Sequence, residues 1–566
     1  MNPTGKIVLG IDLGTTYCCI AYVNPYGKPE VIENSSNERT TPSVVWFDGN
    51  RVVVGSEAKA MAVVQPTEVA SFVKRYMGDE TFFVQCKLGR LRPEEISSYV
   101  LKKLVKDASE HLGQEIKDVV ITCPAYFFIK EREATRKAGE LAGLNVVEIL
   151  NEPTAAAMAY GFQNSGAGEK NILVYDLGGG TFDVTMIKVQ KDKIEVVCTG
   201  GDHRLGGKDW DDAIVMLLVQ KFRDATGNYD DLLSQPEATQ DLQLLAEATK
   251  KQLSQVAEAS AKFTYAGETH RLTVTRAEFE AVTENLLEQT IGFTKSMLED
   301  AQAKGIHRFD ELLLVGGSTK MPQVMRRLKA EFNAEPKIYD PDEAVAKGAA
   351  IVGNNYIIRS ALEEKVRQKT GDDDFSLDVE TSGNEFALEA AKRELQDEGI
   401  TPEAISGAMK IITNVASKSF GTLFVDPDDP TKQATRLFNL LYRNQKIPAV
   451  VESPCYTVVD NQPVVKFEVI ENLEGEPTTP EQKRRGYDPS VGLCLWEGDL
   501  DLPNKNMPAG AELKVVFNMD KEGLLEATCM DCSSGKSLHT VIRTGAVLSR
   551  EEEQDIKKRQ AMLEVE

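Results

Sequence analysis

No run of about 18 apolar residues occurs in the chain, which excludes an ordinary membrane-spanning helix. The start, MNPTGKIVLGIDLG, does not line up a basic stretch, an apolar core and a small-residue cleavage site. It reads straight into a strand, so the expected location is cytoplasmic. Positive charge is scarce: 65 Lys and Arg stand against 88 Asp and Glu, a net charge of −23. Such acidity works against nonspecific nucleic-acid binding, which needs phosphate neutralisation, so neither a nucleic-acid nor a membrane partner is expected. The nine cysteines include one C-x-x-C, Cys529 and Cys532 in LEATCMDCSSGK, without the second pair that a four-ligand zinc site requires. The SSG that follows predicts a strand running into a hairpin, and a redox or metal role stays the alternative to plain reduced thiols. Cys18, Cys19, Cys123, Cys198 and Cys494 lie in apolar, strand-like runs and are expected as buried thiols.

At 42% hydrophobic and 27% charged, the 566 residues have the balance of a globular protein. At roughly 100–200 residues per domain, several domains follow. Through residue 355, short apolar strands (KIVLGIDLG, DVVITCPAYF, NILVYDLGG, ELLLVGGST) alternate with amphipathic helical runs such as EEISSYVLKKLVKDASEHL and EREATRKAGELAG. That alternation predicts an α/β domain with a buried sheet. Residues 356–413 turn polar and acidic, with helices predicted at NEFALEAAKRELQDEG and TPEAISGAMK, and read as an insertion and linker. Residues 414–547 carry strand-like runs and turn residues and read as a β-sandwich. Residues 548–566 start a helix, with Ser549 and Glu552 spaced as a capping box.

Three glycines, Gly178 to Gly180, interrupt two apolar runs in ILVYDLGGGTFDVTMIKV. A dinucleotide fold or a phosphate loop would place them between a strand and a helix. Here an alternating, β-branched run follows, and no lysine completes G-x-x-x-x-G-K-[ST]. The geometry is a hairpin whose turn offers bare backbone N–H groups to an anion. The N-terminus repeats it: Asp12-Leu13-Gly14 in LGIDLGTTYCCIAYV matches Asp176-Leu177-Gly178. A single such hairpin reads equally well as a glycine turn with a capping aspartate. The pair predicts a duplicated core holding a nucleotide between its halves, and Gly316 and Gly317 in LLLVGGSTKMP suit a further close approach to it.

These residues resemble the heat-shock protein 70 molecular chaperone family, with its duplicated actin-like (ribonuclease H-like) ATPase fold. IDLGTTY, NERTTPSVV, PAYF, NEPTAAAMAYG, DLGGGTFDV, LGGKDWD, LVGGSTKMP and DPDEAVAKGAA carry the likeness in order over residues 7 to 353. SFG, NQKIP, DNQPVV, DKEGLLEAT and SGKS extend it, more loosely, to the family's peptide-binding β domain. The resemblance implies ATP or ADP as ligand. Asp12, Glu152 and Asp176 would surround Mg²⁺, mostly through waters, and Asp183 would join Asp12 and Asp176 around K⁺. Gly14, Thr15, Thr16 and Tyr17, with Gly178, Gly179, Gly180 and Thr181, would hold the phosphates. Lys74, in SFVKRYMG, would orient the attacking water and offset charge on the γ-phosphate. Glu247, Lys250, Lys251, Ser254, Gly316, Gly317, Ser318, Lys320 and Asp342 would form the adenosine pocket. Where Lys251 and Lys320 stand the family has arginine, which stacks flat on a purine as an ammonium does not, so weaker nucleotide binding is expected.

Pro124 and Arg132 match the family's relay between nucleotide and peptide domain, although Pro124 also reads as a strand-end proline. The leucine-rich acidic linker is replaced by KIITNVASKSFG, with only Ile411 and Ile412 apolar and Asn414 where an aspartate is expected. Glu148 reverses the charge of an arginine used in signalling to J-domain partners, which counts against a standard J-domain or exchange-factor partnership. Phe424, Val425, Val465 and Phe467 are candidates for a groove taking extended, unfolded polypeptide clients; an ordinary sandwich core would use the same alternation. DPDDPTKQ lengthens the loop after Val425, and the family's helical lid is expected to be missing, so clients should leave fast. The function expected is an ATP-hydrolysing chaperone of protein folding and the stress response. An ATP-binding adaptor or exchange-factor-like relative with little hydrolysis is the main alternative, and a sugar kinase of the same superfamily a weaker one.

Overall fold

A computed structural model describes residues 5–163, 168–377, 384–426, 428–474, 485–502, 507–542 and 550–566. Two sheets of one plan form the centre of the first domain. Leu9–Asp12 and Tyr17–Val23 make an antiparallel hairpin, flanked by Asp118–Cys123 and Asn145–Asn151 on one side and Pro29–Val31 on the other. Lys170–Leu177 and Phe182–Val189 make a second hairpin, flanked by Glu311–Val315 and Pro336–Ile338 on one side and Lys193–Asp202 on the other. In both, the first arm pairs in parallel with the strand beside it, so the repeated glycine turns belong to repeated sheets. Leu312 to Val315 are 1% exposed or less, because elements cover both faces of a strand that reads as one apolar run.

Helices Glu152–Gln163 and Ala344–Thr370 pack between the sheets through Ala155, Ala156, Ala344, Val345 and Ala349, against Val8, Val120, Val174 and Leu313. A Cβ on Gly348 would lie 1.8 Å from the Ala155 carbonyl oxygen, so only glycine admits this approach. The helix Ala344–Thr370 continues past residue 355, where the composition changes. Helices Glu385–Asp397 and Pro402–Ala408 cover its second half through Ile358, Leu362, Val366, Leu395 and Ile405. The acidic stretch therefore starts as an extension of a first-domain helix and has a small apolar core of its own.

The second domain is two four-stranded antiparallel sheets. One orders Thr435–Leu441, Ser419–Val425, Val464–Asn472 and Gly492–Asp501; the other orders Ala449–Tyr456, Glu512–Met519, Leu525–Asp531 and Ser537–Val541. Phe420, Val469, Leu513, Val515, Phe517 and Leu525 fill the space between them, each from alternate positions of its strand. Ile129, from a first-domain helix, joins this core.

Ile411–Val415 binds the domains together. It pairs in parallel with Lys193–Asp202, Ile412 opposite Ile194, and then antiparallel with Lys446–Ile447 of the sandwich. Arg443 and Asn444 reach Asp300 at 2.7 and 3.0 Å, Lys418 reaches the Tyr126 hydroxyl at 2.7 Å, and Arg136 pairs with Glu522. Beyond the sandwich, Arg550–Gln560 is the expected helix, with Ser549 outside the described residues, and an unexpected strand, Glu564–Val565, follows it. No helix among the described residues is long and apolar enough to cross a membrane.

Cys18, Cys19, Cys123 and Cys198 are buried, but Cys494 is exposed. Its strand, Gly492–Asp501, is the sheet's edge, where alternate side chains meet solvent. Cys529 lies in a strand and Cys532 in the turn after it, both as free thiols. Among the described residues the one group whose side-chain donors lie close enough together to bind one ion directly is Glu468, Cys494 and Glu497, and Lys466 already bridges its two carboxylates.

Candidate active site

The two glycine turns face each other across the gap between the sheets. A Cβ on Gly179 would lie 2.1 Å from Thr16 Oγ1, and one on Gly180 would lie 2.6 Å from Thr15 Oγ1. Side chains of any size there would drive the hairpins apart. The second turn is also clamped from behind. The Gly207 and Lys208 N–H groups donate to the Gly178 and Gly179 carbonyls at 2.9 and 2.7 Å, and the Ser318 hydroxyl donates to Gly178 O at 2.9 Å.

Between the turns opens a cavity of about 550 Å³. It is lined by every residue expected of the nucleotide site except Gly180 and Asp183. Gly180 is turned against Thr15, and its carbonyl accepts from Arg75 Nε at 3.0 Å. Asp183 sits one step behind the turn, 1% exposed, and accepts from the Tyr126 N–H at 3.0 Å.

At the cavity floor Lys74 Nζ lies 2.6 Å from Glu152 Oε1, both side chains under one-tenth exposed. Thr122 donates to Asp12 at 3.3 Å. Burial, reinforced by Glu152, pushes the Asp12 carboxyl up to about 7; burial and then Glu152 push Asp183 up to about 8. Burial, Glu152 and Asp183 hold Asp176 well above the carboxylate range. Burial opposes the Lys74 charge, but Glu152 and Asp12 outweigh it and raise the ammonium above its ordinary value. One ammonium among three buried carboxyls and the half-buried Asp12 leaves an excess of negative charge that burial makes costly. The donors are all oxygen, the set a hard divalent cation takes, and their spacing suits Mg²⁺ held mostly through its waters.

At the other end, Lys59 and Lys251 stand over the Tyr17 ring, 4.8 and 4.7 Å from its centre. Tyr17 donates to Glu247 at 3.0 Å. Burial works against the Glu247 charge, but Lys59 and Lys251 hold its carboxyl down to about 2. Lys250 is drawn to Asp211 and the Gly207 carbonyl at 2.9 and 2.8 Å, while Lys320 pairs with Asp342.

The comparisons with known proteins agree with this geometry. The Hsp70 family model, described as "Hsp70 protein", matches residues 8–87 and 79–395. The chain belongs to the Hsp70 family. It is 35% identical over 556 residues to a "Chaperone protein DnaK" of Halobacterium salinarum, covering 96% of this chain and 76% of that one. It is 36% identical over 569 residues to a "Chaperone protein DnaK" of Thermotoga neapolitana, covering 99% and 83%. As an Hsp70 it is an ATPase and an ATP-dependent chaperone.

Of the relay candidates of this Hsp70, Arg132 lines a cleft between the domains together with Asn414, Val415 and Glu522. Arg132, one helical turn beyond Phe128, donates to the Ala125 carbonyl at 3.4 Å and to Asn151, and Pro124 precedes Ala125. Asn414 accepts from Thr154 and donates to the Lys521 carbonyl, each at 3.5 Å. Glu148 feels Lys521 and Glu522 of the sandwich and Arg136 and Arg359 of the first domain. Of the groove candidates, Phe424, Val425 and Val465 are half-buried. Phe467 is 2% exposed, its ring against Trp496 and Phe517 in the sandwich core. Sequence reasoning missed Lys59 in GSEAKAM, whose setting reads as a solvated helix. It also missed Arg75, which follows Lys74 directly and pairs with Asp209 across the cleft.

Proposed function

We propose that ATP and ADP bind in the cavity between the two glycine turns and that hydrolysis there switches the sandwich domain's affinity for extended polypeptide. Thr15, Thr16, Tyr17 and the 178–181 turn hold the phosphates through backbone N–H groups and hydroxyls. Asp12, Glu152 and Asp176 hold Mg²⁺, which when bound offsets phosphate charge; Asp12, Asp176 and Asp183 hold K⁺. Lys74 orients the attacking water and offsets charge on the γ-phosphate. The supporting observation is the buried Lys74–Glu152 pair set against the carboxylate cluster at the cavity floor.

Nucleotide should bind more weakly than the fold allows. Lys251 and Lys320 are point charges already engaged by Glu247 and Asp342, and neither presents a flat cation to a purine. Lys251→Arg and Lys320→Arg are each expected to tighten ADP binding severalfold in calorimetric titrations; unchanged affinity in both variants would refute the stacking argument.

Client segments are assigned to a groove near Phe424, Val425 and Val465, and the chaperone is assigned to the cytoplasm. A J-domain protein and an exchange factor are the partner classes the family implies, but Glu148, within the electrostatic reach of Lys521 and Glu522 of the sandwich, is poorly placed for J-domain signalling. The rival reading, an adaptor with little hydrolysis, draws on that same Glu148 and on the short apolar linker. The pairing of Ile412 with Ile194 in the first-domain sheet favours coupling. Steady-state ATP turnover, measured with Mg²⁺ and K⁺ and with or without an unfolded peptide, decides between them. Turnover that rises with peptide is expected; no turnover under either condition leaves the adaptor.

A further inference from the structure

The segment 550–566 does not lie over the sandwich. It returns to the first domain and completes a sheet there. Glu564–Val565 pairs in parallel with the strand Arg51–Val54, Glu564 opposite Arg51 and Val565 opposite Val52. The Glu566 N–H donates to Val52 O, the Val54 N–H to Glu566 O, and the Glu564 N–H to Asn50 O, at 2.9, 2.9 and 3.1 Å. Val565, 5% exposed, enters the same apolar core as Val52, Val54, Leu101 and Val105.

The helix before it is fastened as firmly. Arg559 grips Glu95 with two bonds of 2.8 Å, and Glu95 has a side chain only 1% exposed. Gln560 donates to Ser98 at 2.7 Å, both buried. Lys137 reaches Glu553 at 2.8 Å and Arg92 reaches Glu552 at 2.9 Å, and Ile556 packs on Leu141.

The completed sheet runs Glu564–Val565, Arg51–Val54, Val44–Asp48, Val69–Ser71, and its last strand leads within three residues to Lys74. The sandwich is therefore tied at both ends: Ile411–Val415 joins the sheet that carries the Gly178 turn, and Glu564–Val565 joins the sheet that leads to Lys74. We propose that residues 550–566 are an intramolecular clasp. They hold the sandwich domain against the ATPase domain and steady the Lys74 segment through strand addition at an otherwise open edge.

The clasp is tested by comparing the full chain with altered chains, with a readout independent of ATP chemistry. Hydrogen exchange at the Val52 and Val54 amides is expected to rise about tenfold or more in a chain stopped after residue 549 and in Val565→Asp, and to stay near the parent value in Val565→Ile. ATP turnover should fall in the first two variants, with little change in KM. Equal exchange in parent and truncated chains overturns the proposal. A second measurement does not depend on the truncated chain folding. In a chain with Cys494→Ser and Cys532→Ser, which removes the two exposed thiols, Arg51→Cys with Glu564→Cys, oxidised, should cross-link within one chain, since both positions face solvent in register. A covalent dimer instead would place the strand on a second copy and overturn the clasp.

Discussion

Lys74→Ala is expected to slow single-turnover ATP hydrolysis by about 10²–10³-fold, the usual loss when one preorganised charge-stabilising donor is removed, with a much smaller change in ADP affinity. The asymmetry follows from where Lys74 lies. It is at the floor of the cavity, 2.6 Å from Glu152, far from the Tyr17–Glu247–Lys251 group at the opposite end. Removing it also leaves Asp12, Glu152, Asp176 and Asp183 with no ammonium among them. Stripping one partner from a buried pair costs about 3–5 kcal/mol when the other stays charged. Here the carboxyls can answer by taking up a proton or a metal ion, so the loss of thermal stability should shrink as Mg²⁺ is added. Turnover within about twofold of the parent, in a variant that still binds ADP, would remove Lys74 from the chemistry.

The parts of this architecture that were legible in the sequence are those written in local turn chemistry. Gly178 to Gly180 between two alternating runs read as a hairpin, and its echo at Gly14 pointed to the duplication that the two sheets show. Lys74, Glu152 and Asp342 were placed in the site by a family likeness, because each alone reads as an ordinary helix or turn residue. What escaped were features made by long-range packing. The helix through residue 356 looked like a boundary because its outer face is polar, yet Ile358, Leu362 and Val366 are covered by helices that start only at Glu385 and Pro402. Cys494 has apolar neighbours in sequence, but whether its strand is central or an edge is settled by the other seven strands. Glu564–Val565 is too short to show alternation, and its partner lies at the other end of the chain.

The domain interface should be pH-dependent, tighter in acid. Three carboxyls lie in it with raised affinities for protons. Burial, with Glu471 nearby, pushes Glu131 up to about 8 against the pull of Lys130. Burial pushes Glu148 up to about 7, with Glu522 adding to it and Lys521, Arg136 and Arg359 opposing. Burial pushes Glu471 up to about 7 against Lys418 and Lys130. Geometry points the same way, for Glu131 Oε2 and Glu471 Oε1 are buried without a hydrogen-bond partner. When the domains separate, these groups regain water and titrate near the ordinary carboxylate value of about 4.3. Docking therefore takes up protons between that value and about pH 7–8. A carboxyl raised in the docked state opposes docking increasingly as pH climbs through this window, and below the window the opposition is gone. By linkage, the docking constant should fall about tenfold per pH unit for each proton taken up. Energy transfer between a dye on each domain, read from pH 6 to pH 8 with ATP and Mg²⁺ present, should show separation growing with pH. Glu131→Gln combined with Glu471→Gln should flatten that slope by removing two titrating groups while keeping their shape. A slope unchanged in the double variant would show that the proton uptake lies elsewhere.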